Sequence, residues 1–182
     1  AARADVQIQR AESCAVLTGI GTILADNPQL NVRIPTIRQP LRIVLDRQLR
    51  TPACSRIIQD GGETLICTQS PAAANPFADY PNVHIYRQSE NDLSSLLDHL
   101  AREHQIGELM VEAGSTLATA FIQADLADEI VYYQAPKILG DSARGLFRLP
   151  ENENTLTRPP KWQTVSVEAL GDDIKWVLQR KR

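Results

Sequence analysis

The sequence predicts a three-layer α/β domain built on a mostly parallel sheet with an antiparallel edge. Short β-branched apolar runs alternate with helix-periodic segments as far as Pro136. The chain then closes on WQTVSVEAL and DIKWVLQRK, two alternating runs around Gly171 that read as a terminal β-hairpin. At 182 residues it makes one well-buried domain and is too short for two.

Taken in order, residues 2–12 read as the tail of a helix and AVLTG at 15–19 as a buried strand. Gly21 to Ala25 suits one helical turn, which Asn27-Pro28 stops, because the residue before Pro is pushed out of the helical region. LRIVLD at 41–46 follows Pro40 and reads as a strand, as does ETLICT at 63–68 after the Gly61-Gly62 turn. Residues 71–82, rich in Pro, Ala and Asn, read as a surface connection leading to the strand VHIYR at 83–87. Asp92 caps a helix whose Leu93, Leu96, Leu97 and Leu100 keep i, i+3, i+4, i+7 spacing, and Gly107 closes it. ELMVEAG at 108–114 is the next strand. Ser115 or Thr116 then caps a helix carrying Leu117, Ala120, Phe121 and Ala124 on one face. EIVYYQAP at 129–136 is a strand ended by Pro, and KILGDSARGLFRL a loop. No internal repeat or low-complexity tract interrupts the pattern.

Composition narrows the function classes. Apolar residues make up 43% and charged residues 23%, the balance of a globular protein. A net charge of −3 gives no electrostatic case for nucleic acid as a partner. No apolar stretch approaches the roughly 20 residues needed to cross a bilayer, and the polar, charged opening AARADVQIQRAES is no signal peptide. Cys14, Cys54 and Cys67 are odd in number and widely spaced, which suits reduced thiols in a cytoplasmic protein. His84, His99 and His104 lack catalytic or metal-ligand spacing, so no metal is expected, and the latter two are expected to face water.

Three constellations carry chemistry. In VEAGSTLATAF at 111–121 a strand ends in Glu112, Gly114 follows and a helix begins. A helix N-terminus offers free N–H groups and partial positive charge, which suits a diphosphate; an ordinary strand–turn–helix junction looks the same. In LTGIGTILADNPQLNVR at 17–33, Gly19-Ile20-Gly21 is a weak match to the dinucleotide fingerprint. Leu24 stands where its third Gly belongs, and Asn27-Pro28 cuts the helix short, which argues against a Rossmann unit. The same segment places Thr22, Asp26 and Arg33 together, suited to a sugar hydroxyl and a phosphate or to a solvated turn. The third set is Arg10, Arg33, Arg42, Arg47 and Arg50, whose guanidinium forks match phosphate.

RADVQIQRAESCAVLTGIGTILADNPQLNVR, LRIVLD, LMVEAGSTLATAFIQADLADEIVYYQAPKILG and ARGLF, spanning residues 3 to 147, together resemble the reductase domain of the bifunctional riboflavin-biosynthesis deaminase–reductase. T-x-L-A-D-N-P-x-L-x-V-R, V-E-A-G-x-T-L and A-P-K-x-L-G are specific in combination. The resemblance implies a dihydrofolate-reductase-like fold and a homodimer, for which the terminal hairpin with Trp162 and Trp176 is one candidate interface and packing within the sheet the alternative. It implies NADPH reduction of 5-amino-6-(5-phosphoribosylamino)uracil to the ribitylamino product, with hydride delivered to ribose C1′. Carried over by motif, Arg10, Leu30, Arg33 and Glu112 are the substrate contacts, Leu30 through its backbone. Thr22, Asp26 and Gly114, Ser115, Thr116, Leu117, Ala118, Thr119 and Ala120 are the cofactor contacts. Asp26 and Glu112 are the carboxylates expected to orient or protonate the opening sugar.

Two departures from the family pattern stand out. Arg47 occupies a cofactor-contact position where Ser is common; it suits the 2′-phosphate of NADPH or a place in solvent. The S-L-D-G-like motif of the family's first strand and the zinc deaminase motifs are not found in residues 1–182. The expectation is therefore one reductase domain over 1–182, lacking its first strand, with a deaminase domain as partner in the parent chain. Two rivals are a related reductase acting on another pyrimidine or pterin and an inactive dimerisation or scaffold domain. An unphosphorylated pterin would not need Arg10 and Arg33.

Overall fold

The computed structural model describes residues 1–71, 75–89, 92–140, 143, 145–149 and 161–181. Five strands, β1 (Ala15–Gly19), β2 (Leu41–Leu45), β3 (Thr64–Thr68), β4 (Val83–Arg87) and β5 (Leu109–Val111), form a parallel sheet in the order β4-β3-β2-β1-β5. Register is regular, with Leu17 opposite both Ile43 and Val111. Among the described residues five helices accompany it: α1 (Ala2–Glu12), α2 (Ile20–Asp26), α3 (Arg56–Gln59), α4 (Leu93–Glu103) and α5 (Ser115–Gln123). β6 (Glu129–Gln134), β7 (Trp162–Leu170) and β8 (Asp173–Arg180) form a separate antiparallel sheet in the order β6-β8-β7.

The central strands are apolar runs because both faces are covered. Val16, Val44 and Ile66 point one way, onto Ile23 of α2, Ile57 and Ile58 of α3, and Phe77. Leu17, Ile43 and Leu65 point the other way, onto Leu96 and Leu100 of α4 and Phe121 of α5. These are the three predicted layers.

Several details differ from the sequence reading. The hairpin forms around Gly171 but pairs with β6, so the antiparallel part is a second sheet and not an edge of the first. A bulge between Thr164 and Ser166 breaks its register. α2 runs seven residues, and Asn27 ends it in the left-handed region. α3, four residues long, is too short to show periodicity. α4 stops at Glu103, with Gln105 turning the chain at φ 55°, before Gly107 is reached. The residue capping α5 is Gly114, not Ser115 or Thr116, and β5 is shorter than predicted. Phe77, in the presumed surface connection, is 1% exposed. His99 does not simply face water: its ring stacks on Tyr86 at 3.7 Å, with His104 edge-on at 5.5 Å. Asp141, Ser142 and Arg144 of the predicted loop, and residues 72–74 of the connection, lie outside the described residues.

Candidate functional site

Sheet topology locates a crevice before any side chain is considered. From β1 the chain steps outward through β2 and β3 to β4, then returns to place β5 on the other side of β1. Connections leaving β1 and β5 therefore diverge, and the carboxyl ends of these two strands are where an open α/β sheet takes a ligand. One lip is Gly19 and α2; the other is Glu112, Gly114 and α5. The lips touch at Gly19, where a Cβ would lie 3.5 Å from Leu117 Cδ2.

α5 opens toward this crevice. Its N-cap is Gly114, and among the described residues no side chain caps it. The first helical bond runs from Ala118 N–H to Gly114 C=O at 3.1 Å, leaving Ser115, Thr116 and Leu117 N–H without intrahelical acceptors. Gly114 and Thr116 are exposed, so an anion can reach this end. Further along, Thr119 is buried and its Oγ accepts Arg148 N–H at 2.7 Å. Ala120 is half-buried. Thr22, half-buried, and Asp26, exposed, stand one turn apart on α2.

The substrate candidates converge through α1. Arg10 grips Glu112 with both arms, Nε to Oε1 at 2.5 Å and Nη2 to Oε2 at 2.7 Å, and donates Nη1 to the Asn31 carbonyl at 2.9 Å. The pair is only 11% and 23% exposed. One turn earlier, Gln7 accepts Arg33 N–H at 2.7 Å, which draws the 31–33 loop onto the same helix. The Arg33 side chain is left exposed. Leu30 sits at φ 56° with its side chain 3% exposed among the core apolar groups, so the backbone twists while the side chain anchors it. Sequence reading named Arg10 as a phosphate holder. In the fold its guanidinium is largely occupied by Glu112 and Asn31, and it orients that carboxylate. Gln7 was missed, because a lone Gln on a helix carries no signal in sequence.

A second cleft of about 310 Å³ lies past the carboxyl ends of β2, β3 and β4. Ile20, Asp46, Arg47, Arg50, Gln69 and Gln88 line it. Ile20 also begins α2, so the cleft and the crevice share that helix start. Asp46 is fully buried; Oδ2 accepts from Thr51 N–H and Oγ–H at 2.6 and 2.7 Å, while Oδ1 has no partner among the described residues. Arg47 is exposed along this wall. Arg42, in contrast, is 2% exposed and bound to Asp60, so it leaves the phosphate-binding set. Among the described residues no cluster suits a metal ion, and no helix is long and apolar enough to cross a membrane. The three cysteines are free, with Cys67 buried, Cys14 half-buried and Cys54 exposed.

Crevice, parallel sheet and appended antiparallel sheet define an α/β domain of the dihydrofolate-reductase-like class. The chain belongs to the RibD C-terminal domain family, which matches residues 1–176. It is 39% identical over 187 residues to riboflavin biosynthesis protein RibD of Haemophilus influenzae, covering 96% of this chain and 50% of that protein. It is 30% identical over 195 residues to the 5-amino-6-(5-phosphoribosylamino)uracil reductase of Buchnera aphidicola, covering 100% of this chain and 93% of that protein. Among solved structures, Acinetobacter baumannii RibD superposes with a TM-score of 0.89 at 35% identity, over 100% of this chain and 50% of that one. The chain thus spans about half the length of these RibD proteins.

Proposed function

We propose that this domain reduces 5-amino-6-(5-phosphoribosylamino)uracil to 5-amino-6-(5-phosphoribitylamino)uracil, using NADPH. The observation that carries the reading is the crevice itself: Glu112 and the uncapped N-terminus of α5 on one lip, Thr22 and Asp26 of α2 on the other, with Arg10 and the Arg33 backbone brought in by α1. The Buchnera relative, nearly all of whose length is matched, bears this reaction in its name.

The residues fit a dinucleotide. Free N–H groups of Ser115, Thr116 and Leu117 suit its diphosphate. The adjoining cleft takes the adenosine end, where Arg47 and Arg50 suit a 2′-phosphate and favour NADPH over NADH. When bound, the nicotinamide supplies the hydride for C1′ of the ring-opened sugar. Exposed Arg33 holds the sugar phosphate. Glu112, fixed in direction by Arg10, accepts from the ribityl hydroxyls, and Asp26 on the facing lip orients or protonates the opening sugar. A phosphorylated substrate gives Arg33 a partner that an unphosphorylated pterin would not.

The same reading implies one more strand, supplied by the S-L-D-G-bearing segment that the family resemblance places before α1. Among the described residues β5 and β6 are both sheet edges, and α1 bonds to Glu112, just past β5, and to Tyr133 of β6. Two sheet edges tied to one helix are a place for a further strand. Homodimerisation, a deaminase domain as neighbour and a cytoplasmic setting complete the proposal. Val167 and Ile174, 49% and 38% exposed on one face of the second sheet, support a role for that face in assembly.

The test is oxidation of NADPH by the full-length protein given the phosphoribosylamino substrate. Asp26→Asn is expected to lower kcat about 100-fold, well beyond its effect on NADPH affinity. Unchanged turnover would remove Asp26 from the reaction, and no oxidation by the wild type would remove the reading.

A further inference from the structure

One cluster of partly buried charge stands outside the site as described. Asp5 of α1 accepts, on a single oxygen, from the Tyr133 hydroxyl of β6 at 2.5 Å and from Lys175 Nζ of β8 at 2.8 Å. Lys175 and Asp5 are 12% and 18% exposed, and Tyr133 is half-buried. An exposed ion pair contributes little, but one this enclosed, with a phenol closing it, holds a defined geometry. It links α1 to a sheet that shares no strand pairing with the first among the described residues.

The cluster lies on the same helix as Arg10, five residues and so about 8 Å earlier along its axis. The Tyr133 phenol is pushed up by burial, by its hydrogen bond to Asp5 and by the charges of Asp5 and Glu112, which keeps it a donor.

α1 thus bears three anchors: Asp5 on the second sheet, Gln7 on the Arg33 backbone, and Arg10 on Glu112 and Asn31. The last two set the substrate half of the crevice, and the first sets where the helix stands. We propose that Asp5, Tyr133 and Lys175 are positioning residues that fasten α1 to the second sheet and thereby fix Arg10, Glu112 and Arg33 beside the N-terminus of α5. The identity of the substrate, though not the positioning, rests on the reading above.

The test uses the full-length protein. Tyr133→Phe keeps the ring and removes the donor to a charged acceptor. It is expected to raise KM for the phosphoribosylamino substrate about tenfold while kcat and KM for NADPH stay put. Lys175→Met should act likewise, and Lys175→Arg should restore the wild-type value. A second readout needs no turnover: exchange of the Arg10 Nε–H with water, followed by NMR, should quicken roughly fivefold in Tyr133→Phe as the pair with Glu112 opens more often. Unchanged exchange overturns the proposal, as does an equal rise in KM for NADPH, which marks general loosening. A wild type without turnover, in which Arg10 exchange still responds to Tyr133→Phe, defeats the substrate reading and upholds the positioning role.

Discussion

Arg42 and Arg47 stand five residues apart, within and just past one strand, and serve opposite ends. Arg42 is enclosed: it donates to both Asp60 oxygens at 2.6 and 2.7 Å, to the Gln29 carbonyl at 3.1 Å, to Thr64 Oγ at 2.7 Å and to the Gly62 carbonyl. A buried guanidinium so satisfied is a structural strut. Arg47 lies beyond the strand end, exposed along the cleft wall with Arg50 nearby. On this placement Arg47→Ala is expected to weaken NADPH binding about tenfold and leave NADH binding unchanged, because only the first carries a 2′-phosphate to pair with the fork. Titration of both cofactors checks it; equal losses would mean that Arg47 contributes only to the wall. Both arginines look alike in sequence, because burial is not a property of a residue type with a charge at its tip.

Among the elements, the β2–β3 connection is tightly packed at Gly62. A Cβ on Gly62 would stand 2.7 Å from Arg42 Nη2, and that guanidinium cannot retreat, being tied to Asp60, Gln29 and Thr64. Gly62→Ala should therefore destabilise the domain by about 1–3 kcal/mol, a typical overpacking penalty. Denaturant unfolding measures this, and a midpoint equal to wild type would show that the loop can shift. α4 illustrates the opposite case, where sequence sufficed. Asp92 accepts from Ser95 N–H at 2.8 Å and Ser94 N–H at 3.3 Å, and these bonds, led by the Ser95 hydroxyl, hold its carboxyl below the usual range. A capping residue and four leucines at helical spacing are local signals, so the element could be read directly. α3 and the buried Phe77 could not, because a four-residue helix has no period and a lone Phe among Pro and Ala announces no partner.

For the whole molecule, the positioning proposal makes α1 the element that ties the second sheet to the site, and acid should loosen it. Burial raises the Asp5 carboxyl, but hydrogen bonds from Lys175 and Tyr133 and the charge of Lys175 outweigh it and leave the group below 3.8. A carboxyl depressed in the native state adds stability that is complete above 3.8 and disappears as pH falls through its lower native value. Asp5→Asn is therefore expected to be less stable than wild type at neutral pH, with the gap narrowing once pH drops below 3.8. Thermal melts of both proteins across that range decide it; a gap independent of pH would mean that the Asp5 charge has no part in holding α1.

Sequence alone determined the layers, the parallel strands, the hairpin and the strings that mark the family, since each rests on periodicity or on neighbours within a few residues. It also placed Glu112 and Gly114 at a strand end and Asp26 and Arg33 in one segment. Only the tertiary structure decided that Arg10 serves Glu112, that Arg42 is a strut, and that Asp5 meets Tyr133 across 128 positions of chain. Those outcomes depend on which side chains the sheet order brings together and which of them lose water, and neither is written in local spacing.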